Sequence, residues 1–283
     1  MYIETLEPVS LRALTKTFNA AFADYVVKIQ LTESALRFKM RQEHIDLRFS
    51  VGVYDQGQLV GFVLTSIGVV GGRKEAYNGG TGVMPAYRGQ RSTQKMYEFL
   101  IPRLQAEAVE ACRLEVIDNN EVAIKVYQQI GFEVVRTFDC QKGMVNPNVQ
   151  HPKYRIEELK AVPWSELPFF WDALPSWSFS LEANQRIHDE LKIVGAFAGK
   201  RLIGYAMFLP ETGRITQFGV HPKYRRQKVG RCLFAALGRM GNPKMTVINI
   251  DKRDQSTLDF LQKIGFSSYI GQYEMTMLIN HDT

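Results

Sequence analysis

Apolar positions along this chain change their period in the same order twice. Near the start, Leu14, Phe18, Phe22 and Tyr25 recur at helical spacing within SLRALTKTFNAAFADYV, and Thr32 to Ala35 carries the capping pattern that opens a second helix. Three runs rich in β-branched residues follow, FSVGVYD, QLVGFVLTSIGVV and EAYNGGTGV, divided by turn residues and readable as strands. A helix is expected from about Ser92 to Ala108, kinked or broken near Ile101 because Pro102 lacks the amide an interior helical turn uses. CRLEVID then reads as a buried strand, EVAIKVYQQI as a short helix ended by Gly131, and FEVVRTFDC as a further strand.

Residues 144–153, MVNPNVQHPK, have no period and two prolines, the signature of a linker. Beyond them the order repeats. YRIEELKA is a strand, WSELPFFWDALPSW and SLEANQRIHDELK supply helical pieces, and IVGAFAGKRLIGYAMFLP is a hairpin turning at Ala198 to Lys200. RITQFGV, VGRCLFAALGRM, KMTVINID, STLDFLQKI and YEMTMLI then alternate strand and helix. The halves also share an echo, GVMPAYRGQ at 82–90 and GVHPKYRRQ at 219–227. The offset is 225 minus 88, or 137 residues, at this turn and 265 minus 131, or 134, at a repeated IGF triplet. Two similar α/β domains are therefore expected, over 1–145 and 153–283.

Composition narrows the class. A chain of 283 residues exceeds one ordinary core, and 45% hydrophobic with 23% charged residues excludes a disordered or collagen-like polymer. No apolar run approaches the ~18 to 20 residues of a membrane-spanning helix, and MYIETLEPVS lacks the features of a signal peptide, so a cytoplasmic location is expected. Cys112, Cys140 and Cys232 are scattered and read as small buried residues rather than a zinc or disulfide set. The net charge of +6 is spread over small clusters, Arg37 to Arg41, Arg88 to Arg91 and Lys223 to Arg231. A phosphorylated small molecule accounts for that charge without a nucleic-acid partner. The oligomeric state is left open.

The echoed turn carries the first chemistry. It joins a strand to a helix, where unpaired amide hydrogens and the helix dipole favour an anion. Two readings follow: a phosphate or pyrophosphate site, or a solvated basic corner. V-x-P-x-Y-R-G-Q before a helix, followed by LEVIDNNEVAIKVYQQIGF, resembles the GCN5-related N-acetyltransferase (GNAT) family. The second half carries a weaker copy.

This resemblance implies tandem domains of α/β (α+β) class, each a mixed, mostly antiparallel sheet flanked by helices. It implies acetyl-CoA as donor, bound along Gly82, Val83 and Met84, with the Val83 amide on the thioester carbonyl. The diphosphate falls on Arg88, Gly89, Gln90, Arg91, Ser92 and Thr93, and Asn120 flanks the pantetheine arm. Arg91 stands where the family has glycine, and Thr93 departs at the last small position. A helical first turn has negative φ, so at Arg91 and Lys228 a long basic side chain is expected to be tolerated and to reach a phosphate with its tip. Tyr127 matches the tyrosine that protonates the departing sulfur; its ordinary pKa of ~10 leaves it able to donate. The alternative for Tyr127 is a core aromatic at helical spacing.

Glu75 is the candidate general base, acting directly or through water, against the plainer reading of a charged residue at a strand start. His44 is an isolated histidine on a polar helix face. Asp24 and Tyr25 are placed to line the acceptor cleft. In the second half Arg225 and Gly230 match the turn, Lys228 replaces its glycine, Asp254 takes the Asn120 position and Leu261 replaces Tyr127. The second domain is thus expected to be degenerate or structural. The expected function is transfer of an acetyl group to a primary amine on a small molecule or peptide, with no metal and no second cofactor. The alternative is a non-catalytic acyl-CoA sensor or interaction protein.

Overall fold

The structure, a computed structural model, describes residues 1–25, 27, 29–150, 153–241 and 243–279. In chain order its first elements are β1 (Tyr2–Thr5), α1 (Leu11–Ala21), α2 (Glu33–Glu43), β2 (Val51–Asp55), β3 (Gln58–Val70) and β4 (Arg73–Val83). Next come α3 (Ser92–Ala106), β5 (Ala111–Ile117), α4 (Glu121–Ile130), β6 (Glu133–Met144) and β7 (Arg155–Glu158). The remainder is α5 (Leu181–Arg186), β8 (Lys192–Ala198), β9 (Arg201–Leu209), β10 (Arg214–Val220), α6 (Val229–Met240), β11 (Lys244–Asp251), α7 (Gln255–Lys263) and β12 (Phe266–Leu278).

Two compact units divide the chain, Met1–Arg136 with Tyr273–Thr283, and Thr137–Gln272. This differs from the expected 1–145 and 153–283. The breaks fall inside β6 and inside β12, so the chain's last strand segment serves the first unit. The reason is in the packing: Met275 and Met277 are buried with Tyr97, Tyr127 and Phe132. Residues 144–153 were expected to bridge the halves; Val145 instead joins the core of the second unit, and residues 151 and 152 lie outside the described ones.

In the first unit β1, β2, β3 and β4 are antiparallel neighbours, and β5 joins β4 in parallel. Apolar side chains cover both faces. Leu14, Phe18 and Leu36 from α1 and α2 pack with Phe62 and Leu64 on one face. On the other, Met96, Tyr97, Leu100 and Leu104 of α3 pack with Val51, Val53 and Val63. Each such fully buried side chain contributes roughly 1.5 to 3 kcal/mol. Ser10 and Thr32 cap α1 and α2 by accepting from Ala13 N–H and Ala35 N–H, and His44 ends α2 in the left-handed region at φ 60°. His44 is thereby a chain-reversing residue. Pro102 does not break α3, which runs on to Ala106. The carbonyl it orphans belongs to Glu98, an exposed residue that water can serve.

The second unit repeats the pattern with β7, β8, β9 and β10 antiparallel and β11 parallel to β10, while β6 pairs with β11. The hairpin turns where expected, with Gly199 at φ 62°. Its leading helical pieces are tighter and shorter than those of the first unit: 3-10 turns at Trp164–Phe170 and Trp177–Phe179, then the six residues of α5. Pro163, Pro168 and Pro175 in that stretch deny it the amides of a longer α-helix.

Candidate active site

In the first unit β4 and β5 pair in register only from Glu75↔Ala111 to Asn78↔Leu114. Beyond that pair the strands separate. A bulge sits at the fork, because Thr65 pairs with Asn78 and Leu64 with Gly80, leaving Gly79 extra. Asn78 pins the fork. Its amide donates to Thr81 Oγ1 at 2.7 Å and to the Tyr97 hydroxyl at 2.8 Å, while its carbonyl accepts from Gly80 N–H at 2.9 Å. Met84 N–H donates to Val60 O on β3, so by antiparallel alternation the amides of Thr81 and Val83 face the opening instead. Gly82 is required where it stands, since a Cβ there would lie 2.8 Å from the Phe62 ring and 2.9 Å from Ala21.

From this opening the chain passes through a 3-10 turn at Pro85–Tyr87 into the echoed corner. Gly89 has φ 75° and Arg91 φ 55°; in the second unit Arg226 has φ 62° and Lys228 φ 65°. The expectation of negative φ at Arg91 and Lys228 is therefore overturned. Each is the last residue before the helix, where the chain must reverse, rather than part of the first helical turn. An L-residue in that region costs about 1 to 2 kcal/mol, and the same strain is kept in both repeats. Neither α3 nor α6 has a capping side chain, whereas α1, α2, α4, α5 and α7 are each capped by one. Among the described residues, the amides of Ser92, Thr93 and Gln94 are the unpaired donors at the start of α3.

Two of the residues expected at the phosphate, Arg88 and Ser92, have partners within the protein. The Arg88 guanidinium donates to both carboxylate oxygens of Asp24 at 2.7 and 2.8 Å, to Ala21 O at 2.9 Å and to Val83 O at 3.1 Å. It ties the end of α1 to the turn. Arg225 repeats the device on Val220 O at 2.9 Å, Asp172 at 2.7 Å and Phe170 O at 3.4 Å. Ser92 is buried with its hydroxyl turned toward Tyr87 O at 3.5 Å. Gln90 and Arg91 are exposed and Thr93 is half-buried at the corner.

Tyr127 lies below the opening, buried, edge-on to Phe132 at 5.7 Å between ring centroids. Burial pushes its hydroxyl up to about 12, against the opposing bonds of Thr81 and Asn78. Asn120 caps α4 by accepting from Ala123 N–H at 3.2 Å. Tyr25 is brought beside them; burial raises its hydroxyl while a bond from Asn120 opposes the rise.

Glu75 is not with this group. Its Oε2 accepts from Arg113 Nε at 2.9 Å and Nη2 at 2.7 Å. Arg113 also pairs with Glu274 at 2.9 Å, and Glu274 with Arg136 at 2.6 Å, a buried ladder of alternating charge. Six residues of strand separate Glu75 from Thr81, on the order of 20 Å. The candidate base is thus a member of a structural ion network.

The sequence reading missed Glu115. It is the first residue of β5 past the last pair, on the face opposite its apolar neighbours Leu114 and Val116. One oxygen, Oε2, accepts from the Tyr77 hydroxyl; the other, Oε1, is buried and without a hydrogen-bond partner among the described residues. Burial raises its pKa to about 7; Tyr77 opposes this, the negative charges of Glu274 and Glu43 add to it, and Lys39 opposes it. The available signal was a carboxylate set between apolar residues within the buried strand run CRLEVID. Tyr127, beside Thr81 and Asn78, and Glu115, one residue past the last β4–β5 pair, lie at the fork on opposite faces of the sheet.

In the second unit β10 and β11 pair only at Arg214↔Thr246 and Ile215↔Val247 before separating. A cavity of about 410 Å³ occupies the opening, lined by Trp171, Ser176, Val220, Lys228, Asn249 and Phe260 among others. Register puts Ile248 where the first unit has Glu115, since Val247 and Leu114 each close the pairing. Leu261 replaces Tyr127. Both polar groups of the first opening are aliphatic here. Gly230 is accounted for by packing: a Cβ would lie 2.9 Å from the Phe260 ring.

Comparison with known proteins agrees with this repeated geometry. The family description "Acetyltransferase (GNAT) family" matches residues 13–132, and "Acetyltransferase (GNAT) domain" matches residues 177–275. No curated protein matches the chain. Among solved structures, a tandem GNAT protein from the clavulanic acid biosynthesis pathway is 12% identical, with all of both chains covered and a TM-score of 0.76. A GCN5-related N-acetyltransferase from Sphaerobacter thermophilus is 14% identical, covering 99% of this chain and 96% of its own, with a TM-score of 0.69. One from Anabaena variabilis is 15% identical, covering 99% and 73%, with a TM-score of 0.62. At such identities the likeness is one of fold.

Proposed function

Since both halves of this chain belong to the GNAT acetyltransferase family, we propose that the first unit moves an acetyl group from acetyl-CoA directly to a primary amine. The observation that carries this reading is Tyr127 and Glu115 on opposite faces of the sheet where β4 and β5 part, a proton donor and a proton acceptor. Transfer to an amine needs both. The ammonium must lose a proton before it attacks, and the departing thiolate must gain one. Glu115, with its pKa raised to about 7 and Oε1 free, is suited to take the first; Tyr127, protonated until about pH 12, is suited to give the second. The amides of Thr81 and Val83 facing the opening would polarise the thioester carbonyl. The bare start of α3, with Gly89, Gln90, Arg91 and Thr93 around it, would hold the diphosphate. Gly82 and Met84 keep the strand edge in place, while Arg88, Ser92 and Asn120 brace the loop and α4 around it.

The second unit supports a different role. Its opening keeps the bare helix start and a cavity but has Ile248 and Leu261 in place of base and acid. It is a binding module without a catalytic pair. The test is an amine screen read by release of free CoA, with thermal stabilisation by acetyl-CoA measured alongside for the parent, Tyr127→Phe and Glu115→Gln. Turnover by the parent that both variants lose is the expected result. Stabilisation by acetyl-CoA without turnover on any amine would leave a sensor in place of an enzyme.

A further inference from the structure

A lysine of the first unit is held by a carboxylate that packs against the fork. Lys39 Nζ is bonded to Glu43 Oε1 at 2.5 Å and Oε2 at 2.7 Å, one helical turn away on α2. That carboxylate fills the space a side chain would take at Gly79, the bulged residue at the fork. The Lys39 side chain is 28% exposed and within the electrostatic field felt by Glu115. From Gly79 to the Thr81 amide is two strand residues, roughly 7 Å, a distance that rotation of a lysine side chain can close. A primary amine is thus tethered on the Glu115 face of the sheet, held by Glu43 against the bulge at the fork.

We propose that Lys39 is an intramolecular acceptor, so that the first unit acetylates its own α2 at this residue. This rests on the reading of the first unit as an acetyltransferase. Glu115 takes one proton from the Lys39 ammonium, and the freed lone pair forms the N–C bond at the thioester carbonyl. The tetrahedral intermediate then breaks its C–S bond, and the CoA thiolate takes the Tyr127 proton. The second nitrogen proton leaves as the amide forms and restores Tyr127. The net products are Nε-acetyl-Lys39, free CoA and one proton. The modification removes the cation that Glu43 holds and leaves a neutral amide in the acceptor position, so it acts as a brake on amine turnover when external acceptor is scarce.

The experiment incubates the purified full chain with acetyl-CoA and follows acetylated peptides by mass spectrometry. The parent, Lys39→Arg, Tyr127→Phe and Glu115→Gln are compared at several protein concentrations, with urea-unfolded chain as the chemical control. Free-CoA release on the amine panel and stabilisation by acetyl-CoA are measured on the same samples. Expected is one acetyl group at Lys39, formed at a rate independent of protein concentration, at least tenfold slower in Tyr127→Phe and Glu115→Gln and absent from Lys39→Arg. Preincubated parent should then turn over added amine more slowly. Amine turnover with Lys39 unmodified would overturn the inference and leave the proposed function standing. Equal labelling of the unfolded chain, or a rate that rises with concentration, would overturn it too. No stabilisation and no CoA release would sink both readings.

Discussion

Replacing Glu115 by glutamine should make the first unit more stable and less active at once. Glutamine keeps an acceptor for the Tyr77 hydroxyl and nearly the same volume, but never ionises. The carboxyl has an ordinary value of 4.5 and stands at about 7 in the fold. At about 1.4 kcal/mol per pH unit, ionising it costs the folded chain about 3 kcal/mol more than the unfolded one. The sign follows from proton binding. Between pH 4.5 and 7 the folded state keeps a proton the unfolded state has released, so parent stability falls as pH rises through that window. Other groups around the site, Tyr77 on β4, Lys39 and Glu43 on α2 and Glu274 on β12, are present in both proteins and largely cancel in the comparison. Urea unfolding of parent and Glu115→Gln from pH 4 to pH 8 should therefore show near-equal stability at the acid end and a gap in favour of the variant, approaching about 3 kcal/mol, at pH 8. Turnover by the variant should fall by about a hundredfold or more. A variant that is less stable at pH 8, or a gap that does not change with pH, would refute the buried, charge-strained carboxylate on which the base assignment depends.

Other perturbations follow from the same geometry. In the parent, kcat/KM should rise about tenfold from pH 6 to pH 8 as Glu115 ionises, with no descending limb from Tyr127, whose pKa is about 12; a flat profile would exclude Glu115 as base. Tyr127→Phe should lower kcat by about a hundredfold with acetyl-CoA KM little changed, and a loss confined to KM would return Tyr127 to a packing role. Arg91→Gly should raise acetyl-CoA KM several-fold with little change in stability, because relief of positive φ is offset by glycine's freedom in the unfolded chain. Ending the chain at Gln272 should unfold the first unit by circular dichroism, since it removes buried Met275 and Met277 and leaves Arg113 and Arg136 without Glu274; retention of a folded first unit would contradict the unit boundaries.

Local pattern alone determined much of this protein. Alternating strand and helix periods, the 137-residue echo and the capping pattern at Thr32 specify repeated α/β elements, because period and cap depend on near neighbours in the chain. The replacement of Tyr127 by Leu261 was equally legible, being a change of residue type at an aligned position. What tertiary structure decided are the facts that depend on partners distant in sequence. Glu75 meets Arg113 of the neighbouring β5, Glu115 meets Tyr77 at the fork, and Arg88 meets Asp24 at the end of α1. The sign of φ at Arg91 and the service of the last strand to the first unit belong to the same class. A side chain's chemistry follows from its residue type, whereas its charge state and its duty follow from what the fold sets beside it.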